Sequence, residues 1–214
     1  MAACVQTLSC EEIVVLDFET TGLSPQFDRV IEVAAIVVKG KNVVDSYVQL
    51  MDPKRYIPPF ITDLTGITNA MIKGKPEPEK VMPQLKKFVG DRLIVAHNAS
   101  FDKRFLLAEM ERVNIKIENP FFCTMLLSRK LIPDASDHKL TTLARHLKIK
   151  SEQAHRALSD VVVTAKLWNH LYAKVADRTG IKKPNVNIIM AVSKKPKSAL
   201  EKYFEKINST KLMQ

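Results

Sequence analysis

The stretch "VVLDFETTGLSP" (residues 14–25) decides how this chain is read. It starts as a buried strand and then, directly after apolar residues 13–16, places Asp17 and Glu19 two positions apart. Side chains alternate across a strand, so these two carboxylates share one face. Like charges held so close raise each other's pKa unless something positive intervenes. By itself the pattern leaves two readings open, a wet strand end with solvated acids or a cation site. The following "TTG" sharpens the second, because Gly22 lets the backbone approach a ligand closely.

Working outward, "EIVVLDFE" (12–19), "RVIEVAAIVVKG" (29–40) and "NVVDSYVQL" (42–50) are β-rich, and "KGKN" reads as the hairpin turn between the last two. Prolines 53, 58 and 59 forbid a continuous element over 52–72, which is expected to be a loop with short helices over the sheet. "EPEKVMPQLKKFVG" (77–90) has Val81, Leu85, Phe88 and Val89 on one helical face, with Pro83 in its first turns and Gly90 at its end. The period then alternates between strand (92–97), helix (100–114), strand turning into helix (121–132), helix (139–147) and a long helix (157–180) closed by Gly180. Three strands in succession followed by strand–helix alternation predict a mixed α/β sheet flanked by helices.

The bulk properties bound the function. The 214 residues are 46% apolar and 26% charged, which excludes disorder throughout. No apolar run approaches the roughly 18 residues of a membrane span. "MAACVQTLSC" has neither a charged n-region nor a long apolar h-region, so no secretory leader is expected. Cys4, Cys10 and Cys123 are odd in number and scattered, as reduced thiols of a cytoplasmic protein would be. The net charge is +10, and from residue 182 onward eight lysines face only two glutamates. "IKKPNVN" (181–187) marks a boundary between a domain at 10–180 and a basic extension at 181–214. In that extension Leu200, Tyr203, Phe204 and Ile207 predict one amphipathic helix. It is open to binding the substrate strand, docking on a partner or packing on the domain, with a nucleic-acid or partner role the expectation.

Three further residues complete the candidate chemistry. Asp102, in "VAHNASFD", opens a helix, where a carboxylate is favoured by the macrodipole alone; Asn98 or Ser100 is the expected N-cap. Asp160 shares a helical stripe with Val163, Thr164, Leu167 and Leu171. An acid on that core-facing side needs a hydrogen-bond partner, an ion pair or a metal. His155 precedes it by five residues, about 140° away on a helix, so it reaches the site from the preceding loop or first turn. Its ordinary pKa near 6.5 suits proton abstraction at neutral pH.

Taken together, "DFETTGL", "AHNASFD" and "HRALSD", in this order, resemble the three motifs of the DEDDh (DnaQ-like) 3′–5′ exonucleases, the family that includes the proofreading epsilon subunit of bacterial DNA polymerase III. The likeness runs from about residue 12 to 176 and includes "LTGIT" (64–68) and "CTMLLSRKL" (123–131). It implies the ribonuclease H-like fold, a mixed five-stranded sheet flanked by helices. It also implies that Asp17, Glu19, Asp102 and Asp160 hold two divalent cations, Mg²⁺ or Mn²⁺, with His155 as general base. Hard cations prefer such oxygen ligands. Charge for charge, four carboxylates are balanced by two divalent ions.

By the same resemblance Thr20 lies near the terminal 3′-hydroxyl, and Leu23 and Ile67 contact the terminal base, although core packing is an equal alternative for these two. His97, Asn98 and Phe101 shape the site without doing chemistry. Thr65 stands where some relatives carry histidine, a departure on the substrate side. The implied partner is a single-stranded or frayed 3′ end of DNA, with a DNA polymerase subunit as a further partner and no membrane. The alternatives are an RNA 3′–5′ exonuclease of the same fold and a non-catalytic nucleic-acid-binding subunit. Intact acids and histidine speak against the second.

Overall fold

A computed structural model describes residues 12–150 and 156–212. Strands β1 (Glu12–Thr20), β2 (Val30–Lys39) and β3 (Asn42–Leu50) form an antiparallel run. The short helices α1 (Pro59–Thr65) and α2 (Asn69–Ile72) follow, broken apart as the prolines and Gly66 require. Next come α3 (Pro78–Val89), β4 (Leu93–Ala96), α4 (Ser100–Arg112), β5 (Phe121–Cys123), α5 (Thr124–Leu131), α6 (Leu140–His146) and α7 (Ala157–Thr179). Strands β4 and β5 add to the sheet in parallel, giving the order β3-β2-β1-β4-β5. The fold is therefore the expected five-stranded mixed sheet flanked by helices, of ribonuclease H-like type.

Period-two alternation divides the sheet between two cores. Val14, Leu16 and Phe18 face α3 and α4, meeting Val81, Leu85, Phe105 and Met110. Ile13 and Val15 face the other way and pack with Val161, Ala165, Trp168 and Leu171 of α7. The odd-numbered row continues from Ile13 and Val15 to Asp17 and Glu19. The strand face buried under α7 thus ends in the two acids at the amino end of that helix.

Two local expectations need correction. The N-cap of α4 is Ala99, without a side-chain cap bond; Asn98 instead takes a left-handed conformation (φ 60°), and its carbonyl accepts from the Phe101 amide. The extension holds two helices, α8 (Val186–Lys194) and α9 (Leu200–Leu212), rather than one. Asn185 caps α8 by accepting from the Ile188 amide, and the Lys195–Pro196 segment and a short 3₁₀ turn separate the pair. Val186, Ile189, Val192, Leu200 and Phe204 join the core around Trp168, so the extension is packed on the sheet's α7 side. Arg178 pairs with Glu201 and lies over the Phe204 ring. No helix among the described residues is long and apolar enough to cross a membrane, and Cys123 is a free thiol.

Candidate active site

The site opens where β1 outruns its neighbour. Strand β4 pairs only with Ile13, Val14 and Val15, leaving the later amides of β1 without a strand partner on that side. The first turn of α4 fills the gap: Asp102, 2% exposed, accepts a hydrogen bond from the Phe18 amide at 3.2 Å. Crevices beyond the carboxyl ends of such strands are where open α/β sheets bind ligands. From the opposite side, the first turn of α7 brings Asp160 in.

Carboxylate oxygens of Asp17, Glu19 and Asp160 lie within 4.8 Å of one another. Burial, with Asp102, Glu19, Asp160 and Glu32 around it, holds the Asp17 carboxyl well above the usual range. Burial and the neighbouring Asp160, Glu32 and Asp102 push Glu19 up to about 8, against the pull of the Arg156 guanidinium. Burial pushes Asp102 up to about 7 despite the Phe18 amide. Such a cluster ionises fully at neutral pH only with added positive charge. The donor set is all oxygen, and ligands across one Mg²⁺ lie about 4 Å apart, so these residues fit hard divalent cations.

The sheet register explains two residues that sequence reasoning passed over. Glu32 of β2 stands opposite Glu19 and is 2% exposed. Its Oε1 accepts from Arg156 Nη2 at 2.9 Å, and its Oε2 accepts from the Ala157 amide at 3.2 Å and from Arg156 Nε at 3.4 Å. An acid inside an otherwise apolar strand was the available signal for Glu32. Arg156 had none, beyond its place between His155 and Asp160 in "HRALSD".

The remaining candidates sort by exposure. Residues 21–29 form a braced loop. The Asp28 carboxylate accepts from the Thr21 hydroxyl and the Ser24 amide, Arg29 pairs with Glu109 and Glu79, and Arg112 donates to the Pro25 carbonyl. That loop carries Leu23 at 77% exposure, so the core-packing alternative does not hold for it. It does hold for Ile67, which is 0% exposed in a cluster with Ile31, Ile57, Ile61 and Ile72. Thr20 donates its hydroxyl proton to the Gly22 carbonyl at 2.5 Å.

His97 Nε2 donates to the His138 carbonyl, which leaves Nδ1 to accept from the Thr124 hydroxyl; burial pushes its pKa down to about 4, so the ring is neutral. The Phe101 ring packs at a tilt against Phe105 with centroids 4.9 Å apart, and Asn98 is exposed at the turn before α4. His155 lies outside the described residues.

The profile of the RNase T exonuclease family matches residues 14–168. Among curated proteins, the PolC-type DNA polymerase III of Clostridium perfringens is 39% identical over 171 residues, and that of Latilactobacillus sakei is 41% identical over 173. Each alignment covers 80% of this chain and 12% of the relative, so the chain spans about an eighth of their length. Among solved structures, exonuclease X in complex with 5′ overhanging duplex DNA superposes with a TM-score of 0.67 at 28% identity, over 85% of this chain and 99% of that one. Escherichia coli exonuclease I with a dT13 oligonucleotide reaches a TM-score of 0.69 at 20% identity, over 85% and 46%, a likeness of fold.

Proposed function

The chain belongs to the RNase T exonuclease family, and on that premise we propose that it is a metal-dependent 3′–5′ exonuclease that removes nucleoside 5′-monophosphates from DNA ends. The observation that carries this reading is the convergence of the Asp17, Glu19 and Asp160 oxygens within 4.8 Å, beside buried Asp102. In this reading the four acids hold two divalent cations, Mg²⁺ or Mn²⁺. The chemistry such ions supply is acidification of a water and stabilisation of charge on the leaving 3′ oxygen.

The chain's own residues do the rest. His155 takes the proton of the attacking water on a ring nitrogen. The Thr20 hydroxyl, its proton committed to Gly22, accepts from the terminal 3′-hydroxyl. Exposed Leu23, on its braced loop, abuts the terminal base, a contact that favours frayed or single-stranded ends without reading sequence. Asn98 and Phe101 flank Asp102, and neutral His97 holds the end of β4 to the 132–139 loop without exchanging protons with substrate. Similarity to PolC-type polymerases, and to an enzyme solved with duplex DNA, supports DNA as substrate. It also supports a role in proofreading or repair with a polymerase subunit as partner.

Product analysis on 3′-labelled single-stranded DNA, paired DNA and RNA, with Mg²⁺ and with Mn²⁺, tests the proposal. Labelled deoxynucleoside 5′-monophosphate should appear first, and EDTA should abolish its release. Internal fragments as first products, turnover in EDTA, or near-normal rates in folded His155→Ala or Asp160→Ala variants would overturn it.

A further inference from the structure

The start of α7 is fixed from the sheet rather than by its own sequence. Its N-cap residue, Arg156, makes no side-chain cap bond, so the freed amides of the first turn need partners from elsewhere. Ala157 finds its partner in Glu32, 125 residues earlier in the chain, and the same carboxylate binds the Arg156 guanidinium through both Nη2 and Nε. Arg156 in turn accepts the Asp160 amide on its backbone carbonyl at 3.1 Å. A continuous set of hydrogen bonds therefore runs from β2 through residues 156 and 157 to the backbone of Asp160. Glu32 also sits opposite Glu19, so one side chain references both flanks of the acidic cluster to the same strand position.

We propose that Glu32 and Arg156 form a positioning pair, which sets the register of the α7 amino terminus so that Asp160 meets Asp17 and Glu19 at cation-binding distance. The inference rests on reading that cluster as a cation site. Three features separate the pair from a generic ion pair. Glu32 is 2% exposed, both its oxygens are held by residues 156 and 157, and the carboxylates that converge at cation-binding distance are those of Asp17, Glu19 and Asp160. A buried carboxylate at a helix amino end is favoured by the helix dipole, which gives the contact a direction as well as a charge. Arg156 pulls on Glu19 against the charge that Glu32 itself adds there, so the pair is held beside the acids as a unit of little net charge. Replacing a buried ion pair by apolar groups is often neutral for stability, whereas removing one partner leaves the other charge unpaired and is destabilising. Metal affinity rather than stability is therefore the readout specific to positioning. Outer-shell partners of metal ligands typically govern metal affinity by about 10–100-fold.

Calorimetric titration of the full chain with Mn²⁺ alone, without nucleic acid, tests this. Glu32→Gln keeps a carbonyl oxygen for the Ala157 amide but opposes an NH₂ group to Arg156. Its Mn²⁺ dissociation constant should rise about 10–100-fold. The double variant Glu32→Gln with Arg156→Gln should weaken binding no further than the worse single variant, because the two residues act as one unit.

A merely structural role predicts the reverse pattern, a lower melting temperature in EDTA with Mn²⁺ affinity within twofold of wild type, and that result would overturn the proposal. Strictly additive losses would also overturn the pairing. If Glu32→Gln does not fold, Arg156→Gln, on a partly exposed side chain, carries the same expectation. A wild-type chain that binds no Mn²⁺ would instead sink the cation-site reading itself, an outcome the variants do not mimic.

Discussion

The Phe18 amide and the Asp102 carboxylate, 84 residues apart in the chain, meet at 3.2 Å and close the gap that β4 leaves beside β1. This bond holds a buried acid next to Asp17 whether or not it is ionised, so its structural and electrostatic contributions can be separated. Asp102→Asn keeps an oxygen for Phe18 and removes the charge. We expect nuclease activity to fall by about 10²-fold or more, beyond what loss of an outer-shell partner costs. The melting temperature in EDTA should stay level or rise, because a repulsive charge has gone. Parallel melting curves and single-turnover rates check both.

The pH dependence of the cation-free chain follows from the same acids. The carboxyls of Asp102 and Glu19 sit at about 7 and about 8 in the folded state, above their ordinary values. Between pH 5 and 8 the folded chain thus keeps protons that the unfolded chain has released, and stability falls as pH rises through that window. In EDTA the melting temperature should be lower at pH 8 than at pH 5. Each kcal/mol corresponds to about 2–4 °C for a chain of this size. Millimolar Mg²⁺ should recover the loss at pH 8 by binding only the folded form. A flat or rising profile in EDTA would contradict the assigned crowding of the acids.

Gly22 admits no side chain without moving Asp28. A Cβ there would lie 2.5 Å from Asp28 Oδ2, and that carboxylate is pinned by Thr21 and Ser24. Gly22→Ala should displace the loop that carries Leu23, lowering kcat/KM about tenfold for a loss of about 1–2 kcal/mol in stability. Because the acids themselves stay in place, Mn²⁺ affinity should be unchanged. Calorimetry alongside kinetics distinguishes this from damage to the cluster.

The extension should behave as part of the fold. Phe204→Ala removes a buried ring from the core around Trp168 and should cost about 3–5 kcal/mol. Ending the chain at Gly180 should lower the melting temperature for the same reason, so lost affinity in a truncation would not identify phosphate contacts. Alanine at the exposed Lys194, Lys197 and Lys202 tests those directly. Arg178, against which α9 packs, is eighteen residues along α7 from Asp160, or about 27 Å. Binding of a three-nucleotide DNA should therefore be unaffected by the change at Lys202, next to Arg178's partner Glu201, whereas a longer strand that reaches it should show a shallower salt dependence.

Much of the fold was legible because its rules are local. Alternation set Asp17 and Glu19 on one face, the prolines broke residues 52–72 into short helices, and the stripe through Asp160 marked the buried side of α7. What was missed lay outside those patterns. Asn98 reads as a cap, yet its left-handed backbone passes that position to Ala99. "VNIIMAVSK" is a short, largely apolar run that periodicity alone does not assign to helix or strand, until Trp168 and its neighbours supply the surface it covers. Ile67 belongs to a motif that suggests substrate contact, and the isoleucine cluster beneath α1 encloses it.

By itself the sequence determined the chemical inventory and the local facing of each side chain: which acids exist, which two share a strand face, and which helix side carries the next. Only the tertiary structure decided that Asp102 would reach Phe18 and that Glu32 would hold the start of α7. The physical reason is range. Backbone stereochemistry fixes direction over a few residues, whereas the meeting of groups a hundred residues apart depends on how the apolar row Ile13–Val15 beds against α7, a property of the packed whole.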